Sequence, residues 1–217
     1  MRLKQTYFKA GSAAILLAAS LTSVAQQKDF SIAIIPDTQY YTEESQGGNN
    51  SLFVAQTEWI AANREKENIA YVIHVGDVVD KGDSKPEQWV NAKNAMYILE
   101  KPLPGLPHGI PYGVAVGNHD QSPSQFAMTG NTFHFNKYFG VDHFKGRPYY
   151  GGHFGKDNDS HYDLFTAGGI DFLVIYIEYD AYDEAQDQMN EWAAGLLDKQ
   201  NILTGNRQNR NRRRQPV

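Results

Sequence analysis

Cysteine is missing altogether from these 217 residues. Its absence excludes a disulfide framework and a lipid carried on a thiol, so the fold must rely on its core, with bound metal as the other support open to it. Long apolar runs are missing too. The best of them, residues 13–24, falls short of the ~20 residues that a membrane span needs. No stretch repeats at a fixed period. Positive charge is scarce where it would matter for a polyanion. The chain carries 20 basic and 25 acidic residues, net −5, but Arg2, Lys4 and Lys9 sit at one end and Arg207, Arg210, Arg212, Arg213 and Arg214 at the other. Without those eight the body carries −13. An acidic body makes a poor general nucleic-acid binder and leaves carboxylates in good supply as metal ligands.

What is present divides into three parts. Arg2, Lys4 and Lys9 precede the apolar run, and Ser23-Val24-Ala25 offers the small residues of a cleavage site. Residues 1–25 therefore read as a secretory signal peptide, which predicts a secreted or periplasmic protein with no membrane span after cleavage. Residues 26–204 have ordinary globular composition, enough for one domain with a sizeable core. From Gly205 to Val217 the sequence turns to Asn, Gln and Arg without periodic apolar residues and reads as a basic disordered tail. That tail is either a basic arm for an anionic polymer or membrane, or foreign to the fold, standing where an α/β chain is due another apolar strand.

Within the domain, apolar runs at residues 30–35, 70–75 and 112–116 read as buried strands. Between them, residues 51–68 carry a helical stripe of Leu52, Ala55, Trp59 and Ala62, with Phe53 and Ile60 beside it and Ser51 as N-cap. Pro86 opens a second helix with the stripe Trp89, Ala92, Met96 and Leu99. This β-α-β-α-β alternation predicts an α/β sheet. Residues 121–160 then break the rhythm. They are rich in Gly, Asn and aromatics such as Phe126, Phe135, Phe139 and Phe144. Such a loop serves either as the rim of a pocket or as a compact surface loop packed on its own rings. Residues 161–166 and 171–177, joined through Gly168-Gly169, read as a hairpin. A last helix over 184–200 has Ala185, Met189, Trp192 and Leu196 on one face.

The chemistry collects at the strand ends. The first strand runs into Asp37-Thr38-Gln39, the second into Gly76-Asp77 and on to Asp80-Lys81-Gly82, the third into Gly117-Asn118-His119-Asp120. Any one of these could be an ordinary turn. Three strand ends bearing hard oxygen donors, about forty residues apart each time, are hard to explain by packing, and C-terminal strand edges are where open α/β sheets place ligands. Asp and amide oxygens suit Mg²⁺ and Mn²⁺, and imidazole widens the choice to Fe and Zn. Two such ions sharing one carboxylate can clamp a phosphoryl group and draw hydroxide from water. Asp77, on the middle strand, is the natural bridge, with Asp37 on one ion and Asn118 on the other. His119 is then free to protonate a leaving oxygen.

Asp37-x-Gln39, Gly76-Asp77-x-x-Asp80-x-Gly82 and Gly117-Asn118-His119-Asp120 resemble the first three motifs of the calcineurin-like metallophosphoesterases. The resemblance covers about residues 30–200. It implies a four-layer α/β/β/α sandwich, a dinuclear centre of two divalent ions (Mn, Mg, Fe or Zn), and hydrolysis of a phosphate mono- or diester substrate. By that likeness Asp37 and Gln39 serve the first ion, Asp77 bridges, and Asn118 serves the second and reaches the substrate. His119 works near the leaving group with Asp80 orienting it, and Lys81 stands where related phosphatases bind phosphate with Arg, keeping the charge but losing the bidentate fork. Three features depart from the pattern. Gln39 replaces a His, Asp80 stands where purple acid phosphatases put a metal-binding Tyr, and the family's later metal-binding histidines, ending in Gly-His-x-His, do not occur. The expectation is therefore a sandwich without its C-terminal strands and with impaired catalysis. The alternative is a non-catalytic exported binding protein that keeps a degenerate metal site.

Overall fold

The computed structural model describes residues 29–123, 130–179 and 186–199. The signal-peptide and basic-tail readings lie outside those residues. The first half is the expected alternation: β1 (Ser31–Ile35), α1 (Gln39–Glu43), α2 (Asn50–Asn63), β2 (Ile69–His74), α3 (Glu87–Met96) and β3 (Tyr112–Val114). β1, β2 and β3 lie side by side in that order and all run parallel. Their C-terminal ends therefore share one edge of the sheet, which brings the three motifs together.

The second half builds another sheet. After α4 (Phe133–Phe139) and α5 (Val141–Phe144) come β4 (Tyr150–His153), β5 (His161–Ala167) and β6 (Ile170–Tyr176), an antiparallel meander. β5 and β6 are the expected hairpin, turning through Gly168 and Gly169, both at positive φ. Alternation along β5 assigns its two faces. Asp163 and Phe165 point at the first sheet, where Phe165 stacks on Tyr71 with ring centroids 4.6 Å apart. Tyr162 points away, against Trp192 of the helix at residues 186–199, here α6. α2 covers the far side of the first sheet, Phe53 lying against His74 of β2. The order is thus helix, sheet, sheet, helix, the four-layer α/β/β/α arrangement. Gly113 matters at the joint between the sheets. A Cβ there would come within 2.6 Å of the Tyr176 ring, so β3 needs a bare residue to let β6 approach.

Three expectations need correction. The buried residues of α2 are Phe53, Thr57 and Ile60, while Leu52 and Trp59 are 46% and 56% exposed. α2 is apolar on more than one side, and a stripe count cannot say which side meets the sheet. Its N-cap is Asn49, whose side chain accepts from Ser51 N–H at 2.8 Å, rather than Ser51 itself. Phe126 lies outside the described residues, but the described part of the aromatic stretch is neither a rim of the strand-end cavity nor a self-contained surface loop. Phe135, Phe139 and Phe144 belong to the main core. Phe144 packs edge-on to Tyr112 of β3 and stacks on Tyr150 and His161 of the second sheet. Gly140 stands between α4 and α5, and Gly146 and Gly155, both at positive φ, lie in the turns that follow α5 and β4.

Candidate active site

Asp37, Asp77 and Asn118 line one cavity of about 400 Å³ at the C-terminal edge of the first sheet. The loops that carry them are braced by backbone geometry found only with particular residues. Gly76 has φ 101° and Asp77 φ 49°, both left-handed. Asp, whose short side chain tolerates that region, is a suitable non-glycine residue there. Gly117 faces Asp77 so closely that a Cβ on it would meet Asp77 Oδ1 at 2.1 Å. Asp77 Oδ1 accepts from His119 N–H at 3.0 Å, so the second and third motifs hold one another directly.

Asp120 fastens the same two loops from beneath. Its Oδ1 accepts from Val78 N–H at 2.8 Å and its Oδ2 from Gly117 N–H at 2.9 Å. It is fully buried, and burial pushes its carboxyl up to about 8 against the pull of those donors. The first motif is tied in by His74. Gly76 N–H donates to His74 Nδ1 at 3.2 Å, which puts the ring's proton on Nε2, 3.0 Å from Thr38 Oγ1. The Thr38 hydroxyl is then free to donate to Val78 O at 3.2 Å. Burial lowers the imidazole to about 3, so His74 stays neutral and structural, as expected for a histidine inside a strand.

Beside the cavity lies a line of charges. His119 Nδ1 is 3.1 Å from Asp80 Oδ1. Asp80 Oδ2 is 2.7 Å from Lys81 Nζ, which is also 2.9 Å from Glu43 Oε1. Lys85 Nζ joins Glu43 from the other side at 3.0 Å. Burial raises the Glu43 carboxyl, but hydrogen bonds from Ser45, Lys81 and Lys85 overcome it and bring the group down to about 2. Lys81 is thus held between two carboxylates rather than aimed into the cavity. Nothing in the sequence marked Glu43. It closes a helix one turn past the first motif, and only the fold brings it to Lys81.

The donor set suits a hard divalent cation. Asp37 accepts from Gln39 twice, from its N–H and from Nε2, each at 2.8 Å. That leaves Gln39 Oε1 buried with no hydrogen-bond partner. A buried acceptor left so is costly, and a cation would satisfy it. Burial raises the Asp77 carboxyl, and the neighbouring Asp37 and Asp80 charges add to the rise. A positive ion would relieve all three. Among the described residues no three His, Cys, Asp or Glu side chains form a ready cage; half of the candidate oxygens here come from the amides Gln39 and Asn118. Two other described histidines are engaged elsewhere. His161 is buried on Tyr176, and His143 joins Glu100 and Arg147.

A parallel sheet whose strand ends gather Asp, Asp and Asn, flanked by a His–Asp pair, within a four-layer sandwich, offers the kind of oxygen donors that hard divalent cations take. The family comparison agrees: residues 30–209 match the calcineurin-like phosphoesterase model, and the chain belongs to that family of metal-dependent phosphoester hydrolases. It is also 40% identical over 167 residues to the uncharacterized protein YvnB of Bacillus subtilis (strain 168). That alignment takes in 77% of this chain but 12% of YvnB, so the chain spans a small part of its relative's length. No solved structure matches. No helix among the described residues is long and apolar enough to cross a membrane.

Proposed function

We propose that this is an exported hydrolase of phosphate mono- or diesters built around two divalent ions. The observation that carries the reading is the convergence of Asp37, Asp77 and Asn118 on one cavity. Asp37 and Gln39 would hold one ion, Asn118 the other, and Asp77 would lie between. Bound there, the ions would activate water and neutralise charge on the phosphoryl oxygens. The chain's own groups do the rest. Asp80 fixes the His119 ring through Nδ1, leaving Nε2 to give a proton to the departing oxygen. Lys81, tied to Asp80, supplies positive charge beside that pair without a free ammonium of its own.

The test is turnover of 4-nitrophenyl phosphate and its bis ester with Mn²⁺, Mg²⁺, Zn²⁺ or Fe²⁺ added to a chelator-treated protein. Metal-dependent release is expected, falling at least about a hundredfold in Asn118→Ala and His119→Ala. Full activity in both variants would refute the site assignment. Metal-dependent phosphate binding without turnover would favour the non-catalytic binding protein.

A further inference from the structure

The cavity has two kinds of lining residue. Asp37, Asp77 and Asn118 are polar, whereas Val75, Val116, Ile177 and the ring of Tyr179 are apolar. Ile177 and Tyr179 follow directly from the end of β6, so the second sheet supplies part of that lining. Tyr179 is the unusual member. It is 51% exposed, yet its main chain is held on both sides. Its N–H donates to Val116 O at 2.9 Å, and its carbonyl accepts from Nε2 of the buried Gln121 at 2.8 Å. No described ring stacks on it. A large aromatic residue lining an acidic cavity, half exposed and with its backbone held on both sides, is poorly explained as core packing. As a lining residue it is open to contact with whatever occupies the cavity.

We infer that Tyr179, with Val75 and Ile177 beside it, seats a planar aromatic group attached to the phosphoryl oxygen, so that the site prefers esters of aryl type over small alkyl esters. The inference rests on the phosphoesterase reading above. In the reaction it describes, the P–O bond to the aromatic group breaks and one forms to the water oxygen. The aromatic group leaves as a phenol, its oxygen taking the proton. Stacking on Tyr179 and contact with the aliphatic wall hold the ring while this happens.

The test separates binding from turnover by using phosphonates, whose P–C bond does not hydrolyse. Phenylphosphonate and methylphosphonate are titrated calorimetrically into the Mn²⁺-loaded protein, its Tyr179→Ala variant and its Tyr179→Phe variant. The expected result is about tenfold tighter binding of phenylphosphonate by the original chain, a scale typical of one aromatic stacking contact. Tyr179→Phe should keep that preference, and Tyr179→Ala should reduce it to about twofold. Tyr179 is half exposed, so neither change removes core packing. Equal affinity for both phosphonates, or an unchanged preference in Tyr179→Ala, overturns the aromatic seat and leaves the phosphoesterase reading standing. Binding of neither phosphonate overturns that reading and the seat with it.

Discussion

Adding a divalent cation should stabilise this protein, and the structure sets the scale. Asp37 and Asp77 share a cavity, and partial burial, with two other carboxylates nearby, raises the Asp77 carboxyl. Gln39 Oε1 is buried without a partner. An acceptor in that state costs the fold about 1–3 kcal/mol. A cation bound at a hundred times its dissociation constant adds about 2.7 kcal/mol of stability. For a domain of this size each kcal/mol moves Tm by about 2–4 °C, so saturating Mn²⁺ should raise Tm by roughly 5–10 °C over the chelated protein. Circular dichroism melts with Mn²⁺ or Mg²⁺ titrated against a chelator read this directly. Asp77→Asn supplies a control of opposite sign. It removes a half-buried charge while its Oδ1 can still accept from His119 N–H. The chelated variant should therefore melt no lower than the original chain, and its response to metal should disappear. Absence of any shift with every divalent ion tried would refute the metal centre. A full shift in Asp77→Asn would refute Asp77 as its middle ligand.

Two further outcomes test the scaffold. Gly117→Ala places a Cβ 2.5 Å from Asp77 N and closer still to its carboxylate; it should cost at least about 2 kcal/mol in urea unfolding and weaken Mn²⁺ binding, and unaltered Mn²⁺ affinity would show that the two loops are not coupled. Between the sheets, Asp163 accepts from the Tyr71 hydroxyl, and burial pushes its carboxyl from 3.8 up to about 7. Below pH 4 it is protonated folded or unfolded and costs nothing. As pH climbs to 7 the unfolded chain ionises first, so stability falls by roughly 4 kcal/mol in all. His74 and His161, held neutral by burial down to about 3, slope the other way as pH drops below 6.5. The quantity to read is therefore the difference between the original chain and Asp163→Asn in chelator-containing buffer. That difference should move in the variant's favour by several kcal/mol from pH 4 to 8, and parallel curves would refute the burial argument.

How much of this was legible beforehand follows from the range of each interaction. The three strands and their motifs were legible because each is a local pattern, an apolar run ended by Gly, Asp and Asn. The hairpin was legible through Gly168-Gly169. The face of α2 was not, because Leu52, Trp59, Phe53 and Ile60 are all apolar and only the sheet decides which are covered. The aromatic stretch misled for the opposite reason. α4 and α5 are 7 and 4 residues long, too short for a helical period to emerge, and their rings are buried by partners far away in sequence such as Tyr112 and His161. Glu43, Asp163 and Tyr179 carried no signal. Each acquires its role from a residue at least 38 positions distant: Lys81, Tyr71 and Gln121 or Asp37 respectively.

The bracing of the three motifs bears on what a metal has to contribute. Thr38, His74, Val78, Gly117 and Asp120 lock the loops through hydrogen bonds among buried groups, and none of these bonds uses Asn118 or the buried oxygen of Gln39. The positions of Asp37, Asp77 and Asn118 are therefore largely set before any ion arrives. The ordering cost is met in folding, and an ion entering the site gains the full electrostatic relief of clustered carboxylates with little rearrangement. A preorganised site of this kind should bind hard cations with small structural change and large thermal effect. If melting shifts came with large changes in far-ultraviolet dichroism at low temperature, the loops would instead be ordering around the ion, and the bracing seen between Asp120 and the second motif would not be what holds them.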